Sequence, residues 1–314
     1  MSVFDATAEL VALAAALRAE DYAFTCVTPA THGLVNARGG NGVARTVRDV
    51  FGWNRPFAAG VLPAPVLRAA AAAAAGVLTE HPVGHVSRVR AATLEGLLLL
   101  HSAYPTDGAD AVFLGPDTSR FANAVRDHLQ GGARVGRAVD LGCGTGAAGL
   151  LIARACPSAE VVLIDINPAA LAAARVNAAA NGIGNVDFRE ADLFVGAAGP
   201  FDLIVTNPPY LVDPAERIYR HGGGALGGGL SLRIAAEALG QLAPGGSLVL
   251  YTGSAVVDGR CHIREAIVPM VDAALFDWSF REVDPDVFGE ELAGGALAAA
   301  DRIAAVVLTV RRRP

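Results

Sequence analysis

The sequence has 314 residues, 53% of them hydrophobic, with 25 basic against 31 acidic side chains and a formal net charge of -6. That length accommodates two domains with sizeable cores, and the negative balance argues against wholesale coating of a nucleic acid. Much of the apolar fraction is alanine, and Arg, Glu or Pro interrupts each run before it reaches the roughly 18–20 apolar residues of a membrane span.

The first ten residues, Met1 to Leu10, contain acids and no basic n-region, so no signal peptide is expected. Thr7 is positioned to cap a helix running to Glu20, and Asn41–Gly52 and Pro63–Leu78 read as two further helices, the last opening on prolines that suit a first turn. Gly84–Ala103 then reads as a strand pair. Helices followed by a hairpin fit either a winged helix or a small helical cap. The four cysteines, Cys26, Cys143, Cys156 and Cys261, are far apart, with no His spaced to complete a zinc site. Reduced cysteines, a cytoplasmic location and no metal are the expectation. Between the halves, Asp110–Leu129 reads as a short strand, a Gly-Pro turn and a helix capped by Asp117 or Thr118.

Beyond about residue 130, strands and helices alternate. Strands are expected at 137–142, 159–166, 186–193, 201–207, 247–253, 277–284 and 302–310, and helices at 146–157, 167–182, 231–246 (ending on Pro244-Gly245) and 261–275. Short, nearly continuous apolar strands between helices predict a largely parallel sheet covered on both faces, with the last two strands forming an antiparallel pair at one edge. The basic tail, Val310–Pro314, reads as a solvated end.

Val139–Gly149, VDLGCGTGAAG, carries a strand into Gly142, Gly144 and Gly146 and then into a helix. Glycines there let the backbone turn tightly and let a ligand approach it. Ala147 and Ala148 stand where a phosphate loop needs Lys and Ser or Thr. Asp165, 23 residues beyond Gly142, closes the second strand, where a carboxylate accepts from both hydroxyls of a ribose. One strand later Asp192 is placed to accept from an exocyclic adenine amine, with Leu193 or Phe194 covering the ring. Downstream, Phe201–Thr206 runs into Asn207-Pro208-Pro209-Tyr210. The Asn207 side-chain oxygen and the Pro208 carbonyl are acceptors for an NH₂ group, the two prolines fix φ and hence their direction, and Tyr210 offers a face to a planar amide or base. Such an arrangement turns the delocalised lone pair of an amide or aromatic amine toward a methyl donor. Cys143 reads as a small packing residue within the loop.

DLGCGTG, Asp165, Asp192 and NPPY in this order resemble class I S-adenosylmethionine-dependent methyltransferases, over about residues 110–310. The resemblance implies a seven-stranded Rossmann-like α/β sheet over 106–314, with a smaller helical or winged-helix-like domain over 1–105. It implies cofactor contacts at Asp140, Gly142, Cys143, Gly144, Thr145, Gly146, Asp165, Ile166, Asp192, Leu193 and Asn207, catalytic roles for Asn207, Pro208, Pro209 and Tyr210, and acceptor binding by Tyr210, Arg220 and Thr118. NPPY is similar to the amino-methylating branch, and the domain looks most like the small methyltransferase domain of release-factor glutamine and rRNA guanine methyltransferases. Leu114-Gly115 precedes Pro116, and Ser119 stands in place of Glu, which departs from the glutamine enzymes' Pro-Arg-Pro-Asp-Thr-Glu pattern.

The six glycines between Gly222 and Gly229 suggest a loop that closes over the substrate, with Arg217, Tyr219, Arg220 or His221 at its edge. Two acceptor classes stay open at this point. Nucleic acid would use Arg45, Arg48, Arg88 and Arg90 of a winged helix for phosphates, whereas a protein would present a glutamine loop. A small-molecule N-methyltransferase with the N-terminal half as its lid is the alternative, and a scaffold without activity is a third reading.

Overall fold

A computed structural model describes residues 2–314 apart from 73–75, 107, 109, 196 and 214–219. In chain order the elements are α1 (Thr7–Ala19), α2 (Pro29–Asn36), α3 (Val47–Phe51), α4 (Ala64–Ala72), β1 (Leu78–His81), β2 (Gly84–Ser87), β3 (Val89–Leu94), β4 (Leu97–Ser102) and α5 (Pro116–Gln130). Then follow β5 (Arg137–Leu141), α6 (Ala147–Ala155), β6 (Glu160–Asp165), α7 (Pro168–Ala180), β7 (Val186–Glu190), β8 (Phe201–Thr206), α8 (Gly229–Leu239), β9 (Leu242–Val257), β10 (Arg260–Cys261), α9 (His262–Ile267), β11 (Phe276–Asp284) and β12 (Arg302–Arg312). The described chain divides into two units, one of Met1–Ala122, Gly144–Leu151 and Asn167–Gly184, the other of Asn123–Cys143, Ile152–Ile166 and Asn185–Pro314.

The second unit holds a mixed eight-stranded sheet of order β11-β12-β9-β8-β5-β6-β7, with β10 paired to β9. β5, β6, β7, β8 and β9 are parallel, and β12 is antiparallel to both β9 and β11, which is the reversed edge expected from the short connection between the last two strands. The additional strand over the seven expected is β10. Asp258 and Gly259, at φ 50° and 72°, turn the chain back onto the end of β9. Val139, Leu141, Ile204, Leu248 and Leu250 from the sheet are buried in one cluster with Ile234 and Ala238 of α8 and Ile263 and Ile267 of α9. Burial on both faces explains why these strands read as continuous apolar runs.

Several boundaries differ from expectation. Pro244-Gly245 does not end a helix but lies inside β9, whose Leu242 pairs with Phe201 before the register shifts. α9 is short because Pro269 removes an N–H from the next turn, leaving only a 3₁₀ turn at Val268–Met270. Thr7 is the first residue of α1 rather than its cap; the side-chain cap sits one turn earlier, where Ser2 and Asp5 satisfy each other's backbone N–H groups. In the same way α5 begins at Pro116, ahead of Asp117 and Thr118. Ala111, Val112 and Leu114 are buried, yet 111–114 forms no strand, and its rungs to Ser102 are two isolated bonds.

In the first unit the expected strand pair is two hairpins, β1–β2 and β3–β4. The second is the buried one. Arg90, which the winged-helix reading would place at a nucleic-acid surface, is buried instead: its Nε donates to the Gly52 carbonyl at 2.9 Å and its guanidinium lies 4.8 Å from the Tyr104 ring and 5.7 Å from the Phe24 ring. β3 is buried on both faces over Val89–Ala92, and Arg90 faces the buried His101 across the hairpin. Aromatic faces offset the cost of its desolvation.

The same cluster sets a pH dependence. His101 is buried 3.4 Å from Cys26 Sγ, and burial, with the Arg90 charge, holds its pKa well below 6.5; burial likewise lowers His32 and raises the Cys26 thiol to about 11. The unfolded chain therefore binds more protons than the folded one below pH 6.5, and stability falls as pH is lowered through that value. Urea midpoints measured from pH 8 to pH 5 are expected to decline below about 6.5, with a shallower decline in His101→Gln.

Candidate active site

Parallel register brings the motif residues into one row. Leu141 pairs with Ile164 on β6 and with Thr206 on β8, so the next residues, Gly142, Asp165 and Asn207, stand level at the carboxyl ends of three adjacent strands. Asp165 pairs with Glu190 on β7, and Asp192 follows two residues later. Because β6 and β7 lie to one side of β5 and β8 and β9 to the other, this row lies at the point where the strand order reverses. Open α/β sheets bind ligands there.

Short-range bonds hold the row. The Cys143 N–H donates to the Ile164 carbonyl at 3.0 Å, the Thr206 hydroxyl donates to the Leu141 carbonyl at 2.9 Å, and the Ala191 N–H donates to the Asp165 carbonyl at 3.2 Å. Gly142, Gly144 and Gly146 adopt φ of 66°, 53° and 79°. A β-carbon on Gly142 or Gly144 would meet no atom within 4 Å. Backbone conformation rather than packing therefore requires glycine at both positions, and open space lies over the turn. Cys143 is buried, in keeping with a packing role.

Asp140 and Asp165 are carboxylates sunk into this row, at 1% and 8% exposure. The next residue, Ile166, is 52% exposed, an apolar surface standing beside a buried acid. Asp192 is held differently. Its carboxylate pairs with Arg233 Nη2 at 2.9 Å, both side chains about half exposed, so the pair contributes little and exchanges readily. Leu193 is buried at φ 50°, whereas the ring of Phe194 turns toward Phe201, 6.4 Å between centroids.

The Asn207–Tyr210 segment leaves β8 and is packed from both sides. Pro208 is buried, and Tyr210 is only 8% exposed. Gly253 of β9 backs the Tyr210 ring so closely that any β-carbon there would be driven into it. The Phe288 ring meets Tyr210 edge-on, 5.9 Å between centroids and 70° between planes.

The glycine-rich segment after the motif is built into this packing rather than standing off as a lid. The Gly222 N–H donates to Leu211 O at 2.8 Å, the Leu211 N–H to Arg220 O at 3.2 Å, and a β-carbon on Gly222 would lie 2.5 Å from Pro209 O. His221 Nδ1 accepts from the Asp213 N–H at 3.2 Å, so this nitrogen supports the turn. The glycines serve close backbone approach, the reading that composition alone does not separate from mobility. Arg220 forms an ion pair with Glu291, and Thr118 Oγ1 accepts from the Gly115 N–H at 3.4 Å in the first turn of α5. Arg217 and Tyr219 lie outside the described residues.

Sequence reasoning missed Gly253, Phe288 and Arg233. Only Gly253 carries a local signal: a glycine inside a strand marks a close approach, and this one was read as the strand's end.

A family model described as the methyltransferase small domain matches residues 118–257, the stretch from the first turn of α5 to the end of β9. This stretch is thus similar to the methyltransferase small domain. The release factor glutamine methyltransferase of Deinococcus radiodurans is 34% identical to the chain over 199 residues, covering 59% of this chain and 66% of that protein. The protein of the same name from Aliivibrio fischeri is 41% identical over 98 residues, covering 31% of this chain and 34% of its own length. The chain thus spans between about a third and just under two thirds of these two curated relatives. Among solved structures, wild-type Trm5b from Pyrococcus abyssi superposes with a TM-score of 0.50 at 17% identity over 74% of this chain and 59% of that one, a likeness of fold.

Within the matched stretch, Gly253 tests how Tyr210 is held. Gly253→Ala displaces the ring from β9, and a misplacement of this size is expected to lower turnover roughly 10- to 100-fold. Initial rates check the first effect; calorimetry with S-adenosylhomocysteine checks that cofactor affinity is retained.

Proposed function

We propose that the chain is an S-adenosylmethionine-dependent N-methyltransferase whose acceptor is the side-chain amide of a glutamine in a protein. Residues 106–314 are the catalytic part and residues 1–105 recruit the acceptor. The row of Gly142, Asp165 and Asn207 fits the cofactor. Two buried carboxylates answer its hydroxyl and amino groups, the open turn at Gly142 and Gly144 admits its tail to backbone N–H groups, and exposed Ile166 is the apolar surface its adenine would cover. Asp165 would hold the ribose. Asp140 would meet the amino group through the turn formed by Gly142, Cys143, Gly144, Thr145 and Gly146, and Asp192 and Leu193 would hold the adenine.

When bound, S-adenosylmethionine supplies a methyl group already activated by a sulfonium, so the protein's task is orientation. Asn207 Oδ1 and the Pro208 carbonyl accept from the two N–H groups of the acceptor amide. This fixes its plane and turns the nitrogen lone pair toward the methyl group. Pro208 and Pro209 restrict the backbone that aims those oxygens. Tyr210, fixed between Gly253 and Phe288, bounds the slot.

The packing of Tyr210 carries the choice of an amide. A base stacked on an aromatic side chain needs a free ring face, and this ring is 8% exposed, backed by Gly253 and met by Phe288. Burial of Arg90 removes one of the arginines that a nucleic-acid surface would use. The 34%-identical relative is named for glutamine methylation, which makes a translation release factor the first acceptor to try and the cytoplasm the expected location. Incubation with methyl-labelled donor and separated RNA, protein and small-molecule fractions is expected to label protein. Label confined to RNA would favour a base amine, and label in small molecules would favour a metabolite acceptor.

A further inference from the structure

Asn177 is a polar residue buried in an alanine-rich stretch of α7, at 0% exposure. Asparagine is a poorer helix former than the alanines around it, so its place calls for a tertiary reason. Its Oδ1 accepts from the Leu100 N–H of β4 at 2.7 Å, and its Nδ2 donates to the Leu100 carbonyl and to the Thr145 carbonyl, each at 3.0 Å. Both amide hydrogens are therefore used, and the orientation of the carboxamide is set by its partners. One helical turn later, Asn181 makes the matching pair of bonds to Leu98, accepting from its N–H at 3.0 Å and donating to its carbonyl at 2.9 Å. It also donates to Asn177 O at 2.7 Å and accepts from Arg18. The two side chains act together as a further strand along β4. Of the pair, only Asn177 reaches the glycine-rich turn.

We propose that Asn177 is a positioning residue for the cofactor loop. Its buried carboxamide ties Thr145, between Gly144 and Gly146, to strand β4 of the second hairpin. Those two glycines, at positive φ, give the loop many alternative backbone conformations when it is not held. The tie selects the one seen here and makes the loop's position depend on that of the hairpin. A change that shifts β4 then alters cofactor affinity, and by linkage the cofactor steadies the hairpin. The affinity arm of this inference rests on the proposed cofactor; the tie itself does not.

Asn181 supplies the control, because it clamps the same strand without touching the loop. Asn177→Ala and Asn181→Ala are both expected to lower the melting temperature. Only Asn177→Ala is expected to weaken S-adenosylhomocysteine binding, roughly tenfold, the loss expected from one buried hydrogen bond. Hydrogen exchange at the Gly144, Thr145 and Gly146 amides of the free protein is expected to accelerate in Asn177→Ala and to stay at the wild-type rate in Asn181→Ala. Equal acceleration in both variants, or none in Asn177→Ala, overturns the proposal. If the wild type does not bind S-adenosylhomocysteine, the assigned cofactor fails, and the exchange rates still decide the tie.

Discussion

Asn207→Ala is expected to lower turnover roughly a thousandfold and to leave the affinity for S-adenosylhomocysteine unchanged, the magnitude that follows removal of one preorganised polar group from a reacting centre. The reason is geometric. Asn207 follows Thr206, whose hydroxyl and register with Leu141 lock it beside the glycine turn, so its side chain would meet the proposed acceptor at a fixed place. Without that oxygen the proposed acceptor NH₂ would keep a single protein partner, the Pro208 carbonyl, and would sample orientations in which its lone pair points elsewhere. A steady-state comparison with calorimetry separates the two effects. Equal loss of binding and turnover would make Asn207 a structural residue and remove its assigned role.

Asp165→Ala produces the opposite division. Binding of S-adenosylhomocysteine is expected to weaken by about 3 kcal/mol, on the order of a hundredfold, which is the loss of two hydrogen bonds to an ionised carboxylate. Turnover at saturating cofactor changes far less, because a ribose contact holds the ground state and the transition state alike. Unchanged affinity would remove Asp165 from the ribose. Asp192→Ala serves as the internal comparison: its carboxylate already has Arg233 as a partner at the surface, so its loss costs binding less than the loss of the buried Asp165.

Much of the second unit was legible in the sequence because its strands are buried on both faces. Runs such as Val161–Ile164 and Leu203–Val205 admit no reading other than a covered strand, and the register they impose puts Gly142, Asp165 and Asn207 in one row. What the sequence did not carry were contacts made by shape rather than by polarity. Gly253 and Phe288 enclose Tyr210, yet neither has a pattern that points to a partner more than 40 residues away. The glycines of 222–229 illustrate the same limit, since small residues permit both mobility and close packing, and only the bonds to Leu211 decide between them. In the first unit, Arg90 is a phosphate contact only under the winged-helix reading; the aromatic rings that bury it come from Phe24 and Tyr104, distant in sequence. Asn177 was legible in principle, as a polar residue surrounded by alanines, but its partners in β4 and the glycine turn were not.

The central claim is transfer of one methyl group to an amide nitrogen, and the most direct test is the chemistry of the labelled product. Protein acceptor is methylated with donor carrying labelled methyl, freed of excess donor and hydrolysed in acid. An N-methylated glutamine amide releases its label as methylamine, because hydrolysis breaks the bond between the carbonyl carbon and nitrogen while the methyl–nitrogen bond survives. Labelled methylamine from the wild type, and none from Asn207→Ala at matched times, is the predicted result. Label released as methanol, or retained on an amino acid or a nucleobase, would contradict the account.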